Sequence, residues 1–252
     1  MSEEPRLEEQ VLAQVVEAGL ASQLDAADAI AVDVRTDLGK IVQGQAKQVS
    51  VTGQGLVVQP DVRVQELEVH TQGVAINPLS ALFGKLKLDH PVDTTVRVVL
   101  TEVDLNQTLN SDALKQYLSP WDLNVDGQMV TVELQPPMEI QLLSGGKIQF
   151  MANVVRNENG QEQRTRFSAV IYPRTEERPV LLEEFRCHPG QGLPFGLTFA
   201  FFKKMKELME LPYLKWEDMV VRVHQLEIQE GSLVLQLEAH VGQIPSFGND
   251  VV

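Results

Sequence analysis

Five short apolar segments that begin between Ile30 and Gly73 (IAVDVR, QVSVTG, GLVVQP, VRVQELEV and GVAINP) are separated by Gly and Pro. They are rich in Val and Ile, and each is too short to lay down a helical stripe. Strands of this length at this spacing pair with their sequence neighbours, so the pattern predicts an antiparallel meander. One of them, VRVQELEV at Val62 to Val69, returns as VRVHQLEI at Val221 to Ile228, with Val, Arg, Val, Leu and Glu in the same places. In both copies the apolar residues change phase partway along: Val62 and Val64 share a face, Leu67 and Val69 take the other, and Val223 and Leu226 repeat the change. A one-residue change of phase is what a β-bulge or a sharp coil produces, here near Gln65-Glu66 and His224-Gln225. Two strands that switch alike can curl together and wrap a sheet around helices, although short Val/Glu/Leu strands also resemble one another without any such cause.

Strands return later as MVTVEL, MEIQLL, GKIQFMANVVR and RTRFSAVIYP, with hairpin turns at Gly145-Gly146 and Asn159-Gly160. A last hairpin turns at Glu230-Gly231-Ser232. Helices are predicted in three places. Residues 6–24 place Leu7, Val11, Leu12, Val15, Val16, Gly19 and Leu20 on one face. LTEVDLNQTLNSDALKQYLSPW opens on a capping box of Thr101 and Asp104, recaps at Asn110-Ser111-Asp112 and stops at Pro120. The third helix runs from about Gly196 to Leu211. The fold class expected is α+β, a strongly curved antiparallel sheet wrapped around one or two long helices that lie on its concave face. No composition break marks a linker, so residues 1–252 are read as one domain with an ordered core of about 6–245.

Net charge and cysteine content narrow the function classes. A net charge of −14 opposes nucleic acid, whose phosphates call for clustered Lys and Arg, and broad adsorption to an anionic membrane. The longest apolar runs, such as FGLTFAFF, fall far short of the roughly 20 residues of a bilayer span. The opening MSEEPRLEEQ has neither the basic nor the apolar region of a secretory signal, and the single cysteine, Cys187, suits a reducing compartment. A cytoplasmic location is expected, with contact at the cytoplasmic face of a membrane.

No catalytic or metal-binding constellation emerges. His70, His90, His188, His224 and His240 lack ligand spacing. Cys187 and His188 are adjacent, and neighbours on an extended segment point to opposite faces. SGGKIQ lacks the frame of a phosphate loop, and GQGLPFG has the wrong glycine spacing for a dinucleotide site. The expectation is a non-enzyme with no catalytic residues, no metal and no cofactor.

The informative stretch is LPFGLTFAFFKKMKELMEL. On a helix Leu197, Ala200, Phe201, Phe202, Met205, Leu208, Met209 and Leu211 form an arc nearly twice the ~100° that core packing requires. Leu197, Phe201, Phe202, Met205, Leu208 and Met209 are therefore the candidate ligand-binding residues; a well-buried helix under a sheet is the simpler reading. INPLSALFGKLKL is similar, with Leu82 and Phe83 beside Lys85 and Lys87. Of the ten lysines, five flank these two segments: Lys85, Lys87, Lys203, Lys204 and Lys206. Positive charge beside apolar residues is the pattern of an interfacial segment, and lysine stems lying over apolar surface explain it too. Leu82, Phe83, Lys85, Lys87, Phe195, Phe199, Lys203 and Lys206 are the candidate membrane contacts.

The stretch GQGLVVQPDVRVQELEVHTQGVAINPLSALFGKLKLDHP, followed by VVLTEVDLNQTLNSDAL, resembles the bacterial LmeA-like phospholipid-binding family over about residues 8–245. LTEVDLN and the strand–turn–strand before it carry most of the likeness. The resemblance implies a fold similar to tubular lipid-binding domains, with a bent antiparallel sheet around long helices enclosing an apolar groove. It implies phospholipid binding and supplies no catalytic residues. Envelope members of the family begin with a signal sequence, and this chain is expected to meet a cytoplasm-facing membrane or a soluble lipid pool instead. Two functions compete: non-enzymatic binding of phospholipid or another apolar ligand with weak membrane association, and a protein-interaction module whose apolar helix meets a partner. An enzyme of unrecognised type comes last.

Overall fold

The computed structural model describes residues 7–36, 38–41, 45–75, 87–115, 120–158, 161–173, 179–188, 192–209, 214–216, 218–229 and 231–243. The fold is mostly antiparallel sheet with a few helices, and one of its sheets curls strongly into a half-barrel, as an α+β curved-sheet fold requires. The chain forms two compact units: residues 1–100, 212–225 and 234–252 make one, and 101–211 with 226–233 make the other.

In the first unit a seven-stranded sheet runs in the order β1 (Ala29–Arg35), β2 (Gln45–Gln59), β3 (Val62–Ala75), β4 (Val92–Thr101), β12 (Ser232–Val241), β11 (Met219–Gln229) and β10 (Leu214–Trp216). Helix α1 (Leu7–Ala21) packs on β1, and α2 (Leu38–Ile41) is a single turn before β2. Leu12 and Ala13 meet a core of Val34, Val49, Val74, Val92 and Val241, and the Thr36 amide donates to Glu9 Oε1 at 2.9 Å. The predicted apolar face of α1 is thereby divided: Val16 is buried while Leu7, Val11 and Val15 face solvent.

Two segments read as separate strands, QVSVTG and GLVVQP, are one continuous β2, because Gly53 and Gly55 mark close approach rather than a break. Gly55 has φ +58°, and a Cβ there would stand 1.9 Å from Asp28 Oδ2. The β2–β3 register also carries through Gln65-Glu66 without a shift, Gln54 pairing with Glu66 and Leu56 with Val64, and it shifts at Val57/Gln59 instead. The expected bulge is absent from β3. In β11 the change of phase is visible in burial: Met219 and Val221 are half-buried on one phase, Leu226 and Ile228 on the other. The switch coincides with the passage from residue 225 of one unit to residue 226 of the other.

The second unit is built on a five-stranded meander of β5 (Trp121–Val125), β6 (Gln128–Leu143), β7 (Lys147–Glu158), β8 (Gln161–Tyr172) and β9 (Leu181–Cys187). Gly145 and Gly146, at φ +77° and +76°, make the β6–β7 turn, while the predicted Asn159-Gly160 turn lies outside the described residues. MVTVEL and MEIQLL join into β6, with two extra residues opposite β7 at Pro136-Pro137, where a missing N–H is tolerated. Helix α3 (Glu102–Asn110) and the short α4 (Asp112–Lys115) follow β4. The capping box is formed: Thr101 Oγ1 accepts from the Asp104 amide at 3.1 Å, and the Thr101 amide donates to Asp104 Oδ2 at 3.3 Å. Ser111 recaps the chain, its Oγ accepting from the Leu114 amide. Helix α5 (Phe195–Met209) covers the meander, and its Leu197 and Phe201 are buried with Leu123, Val132, Val154 and Phe167.

Candidate functional site

Alternation sets up the site. Along β7 Ile148, Phe150, Ala152 and Val154 fall on one face, and along β8 Phe167, Ala169 and Ile171 do the same. Near β9 the register shifts by one residue, with Val170 opposite Glu184 and Ile171 opposite Leu182. That bulge brings Leu182 and Phe185, three residues apart, onto the same apolar face. Phe185 stands edge-on to Phe202 with ring centres 4.6 Å apart, and Phe167 meets Phe201 at 5.4 Å. Trp121 lies 5.9 Å from Phe201. These contacts fix the orientation of α5 over the sheet.

Between α5 and the meander lies an apolar cavity of about 300 Å³. The sheet contributes Ile140, Ile148, Phe150, Phe167, Ala169 and Ile171, and Val180 and Leu182 line it as well. The helix contributes Phe201, Phe202, Met205 and Lys206. On the outer face of the same strands Lys147 pairs with Glu183 at 2.7 Å and lies over the Tyr172 ring. Its hydrogen bond to Glu183 holds the Lys147 ammonium above the ordinary lysine pKa.

The wall that includes Ile140 is held by α3. Asn106 Nδ2 donates to the Ile140 carbonyl and Asn106 Oδ1 accepts from the Ile140 amide. Asn110 makes the same pair with Met138, each bond within 2.9 Å. Glu102 Oε2 accepts from the Leu142 amide at 2.7 Å. Three side chains at i, i+4 and i+8 thus read alternate residues of one strand edge, the spacing a helix face supplies. This role of Glu102, Asn106 and Asn110 was not read from the sequence, where they look like an ordinary polar helix face.

Of the candidate ligand-binding residues, Phe201, Phe202 and Met205 meet at the cavity. Leu197 is buried in the core beside it, and the side chains of Leu208 and Met209 lie outside the described residues. Of the candidate membrane contacts, Phe195 is 88% and Phe199 66% exposed, and Lys87, Lys203 and Lys206 are exposed. Leu82, Phe83 and Lys85 lie outside the described residues. The sheet residues of the cavity were missed; the period-two alternation of IQFMANV and FSAVIY is the signal that marks them.

A larger hollow of about 710 Å³ in the first unit has a different character, with His70, Asp93, Arg222, Glu238 and His240 around it. His240 Nδ1 lies 2.8 Å from Asp93 Oδ1, and His70 Nδ1 lies 3.0 Å from Ser50 Oγ, its cross-strand neighbour. Its charged rim is unsuited to an apolar ligand, whatever its size. Among the described residues no group of three or more His, Cys, Asp or Glu is arranged to hold a metal ion. No helix among them is long and apolar enough to cross a membrane.

The family model described as LmeA-like phospholipid-binding matches residues 5–238. The chain belongs to that family. The family is of a lipid-binding, non-enzymatic type. No curated protein and no solved structure matches the chain.

Proposed function

We propose that the protein binds phospholipid or another apolar ligand, without chemistry, in the groove between α5 and the five-stranded meander. The observation that carries this is the cavity itself, apolar on every side but one and walled by the aromatic cluster of Phe150, Phe167, Phe201 and Phe202. An ordinary core closes to near-crystalline packing, so an apolar void of about 300 Å³ beside a helix is a ligand-sized vacancy. Burial of ~10 methylenes at about 0.8 kcal/mol each gives roughly 8 kcal/mol before ordering costs, enough for reversible binding. A cytoplasmic setting is part of the proposal and draws on the lone Cys187.

Weak association with an anionic membrane accompanies binding. Phe195 and Phe199 are one helical turn apart and exposed, with Lys203 one turn further on. A protein partner for this face is the second reading, favoured by the same two exposed rings. Gentle purification followed by native mass spectrometry and lipid extraction decides the main point. Co-purifying lipid in stoichiometric amount is expected; protein that emerges bare and takes up no added phospholipid would refute the groove.

A further inference from the structure

The size and charge of the cavity narrow the ligand further, on the reading just given. An engineered apolar cavity of about 150 Å³ holds one benzene, so the ≈ 300 Å³ beside α5 has room for roughly twelve packed carbons. That is one acyl chain of medium length, and two chains side by side do not fit. Among the described residues lining the cavity, Lys206 is the only charged one. Both Lys206 and Leu182 are exposed while lining it, which places the mouth beside them. A chain lying along Phe150, Ile171 and Met205 would bring its head to the Lys206 ammonium.

We infer that the site takes a lipid anion with a single acyl chain, its chain in the cavity and its carboxylate or phosphate paired with Lys206. A diacyl phospholipid would seat one chain and leave the other outside. The inference is distinct from phospholipid binding in general, because it fixes the number of chains held and the sign of the head.

Calorimetry on the full chain with octanoate, decanoate, laurate, myristate and palmitate tests the chain term. Affinity is expected to rise roughly fourfold per methylene, the equivalent of about 0.8 kcal/mol, as far as laurate and then to level off. Lauroyl lysophosphatidate should bind like laurate, whereas binding of laurate alone would assign a free fatty acid. Lys206→Gln should weaken both anions roughly three- to tenfold and leave dodecanol unchanged. Ile171→Trp should abolish binding by filling the cavity; if that variant does not fold, the exposed Lys206 substitution still decides the charge term. A full fourfold step persisting from laurate to palmitate would overturn the single-chain volume. So would dioctanoyl phosphatidate outbinding its lyso form by the worth of the second chain; either result leaves lipid binding intact. Equal loss of dodecanol and laurate in Lys206→Gln would overturn the head contact. Failure of every probe on wild type would take the groove reading down as well.

Discussion

Asn106 holds Ile140 by both of its backbone groups, donating to the carbonyl at 2.9 Å and accepting from the amide at 2.8 Å. A strand residue normally finds those two partners on a neighbouring strand. β5 pairs only with residues 128–132 of β6 among the described residues, so beyond it the edge is completed by a helix. Ile140 also lines the cavity, and the grip on it fixes one wall of the groove.

Asn106→Leu keeps the volume and removes both bonds, leaving an amide and a carbonyl without partners. Each unmade bond costs about 1–3 kcal/mol where water does not replace it, so a loss of roughly 2–4 kcal/mol in denaturant-measured stability is expected. Asn110→Leu should behave alike through Met138. A loss within about 0.5 kcal/mol, the range of neutral surface changes, would show the clamp to be dispensable.

Gly55→Ala meets two obstacles: a left-handed backbone at φ +58° and the Asp28 carboxylate in the space its Cβ needs. The backbone part alone costs about 1 kcal/mol. In an Asp28→Ala background the second obstacle disappears, and the penalty of the glycine change should shrink without vanishing. Thermal melts of the four proteins in this cycle give the coupling directly.

Phe199 and Phe201 are two residues apart on α5 and have opposite environments, 66% and 1% exposed. Phe201→Ala should cost about 3–5 kcal/mol through the cavity it leaves in the core. Phe199→Ala should be neutral within about 0.5 kcal/mol. Comparable losses in the two variants would mean that α5 is rotated relative to the sheet.

Flotation with liposomes reads the membrane face. Wild type should float weakly with anionic vesicles and fall away as salt rises, since each lysine contributes about 1 kcal/mol near such a surface. Each inserted ring adds roughly 1.5–3 kcal/mol, so Phe195→Ser with Phe199→Ser should stop flotation while leaving the melt unchanged. Phe83→Ser asks the same of SALFGKLK. Equal flotation by all variants, or none by wild type, would assign these rings to a protein partner or to packing.

Periodicity made the meander legible, because Val and Ile at every second position leave little other choice. The capping box at Thr101 was legible for the same reason: its partners lie three residues apart. Glycine misled the reading of β2, since Gly53 and Gly55 look like punctuation until the chain that crosses them, at Asp28, is known. The phase change in VRVQELEV suggested a bulge that β3 does not have; what a strand's two faces meet is a tertiary fact, absent from the eight residues. The helix half of the cavity was visible as an apolar arc too wide for one core. The sheet half was not singled out, because Ile148, Ile171 and Leu182 converge only through pairing and a bulge.

The edge of β6 that Glu102, Asn106 and Asn110 occupy would otherwise be a row of bare amides and carbonyls, a template onto which a strand from another molecule can add. Side chains have answered that row, so a second chain finds no vacancy there. A helix can do this without lengthening the sheet, because it offers three fixed contacts and then turns its own bonds inward. Helix α3 therefore also acts as a stop against strand-by-strand polymerisation. Its loss would show first in the pellet after centrifugation, before any lipid is missed.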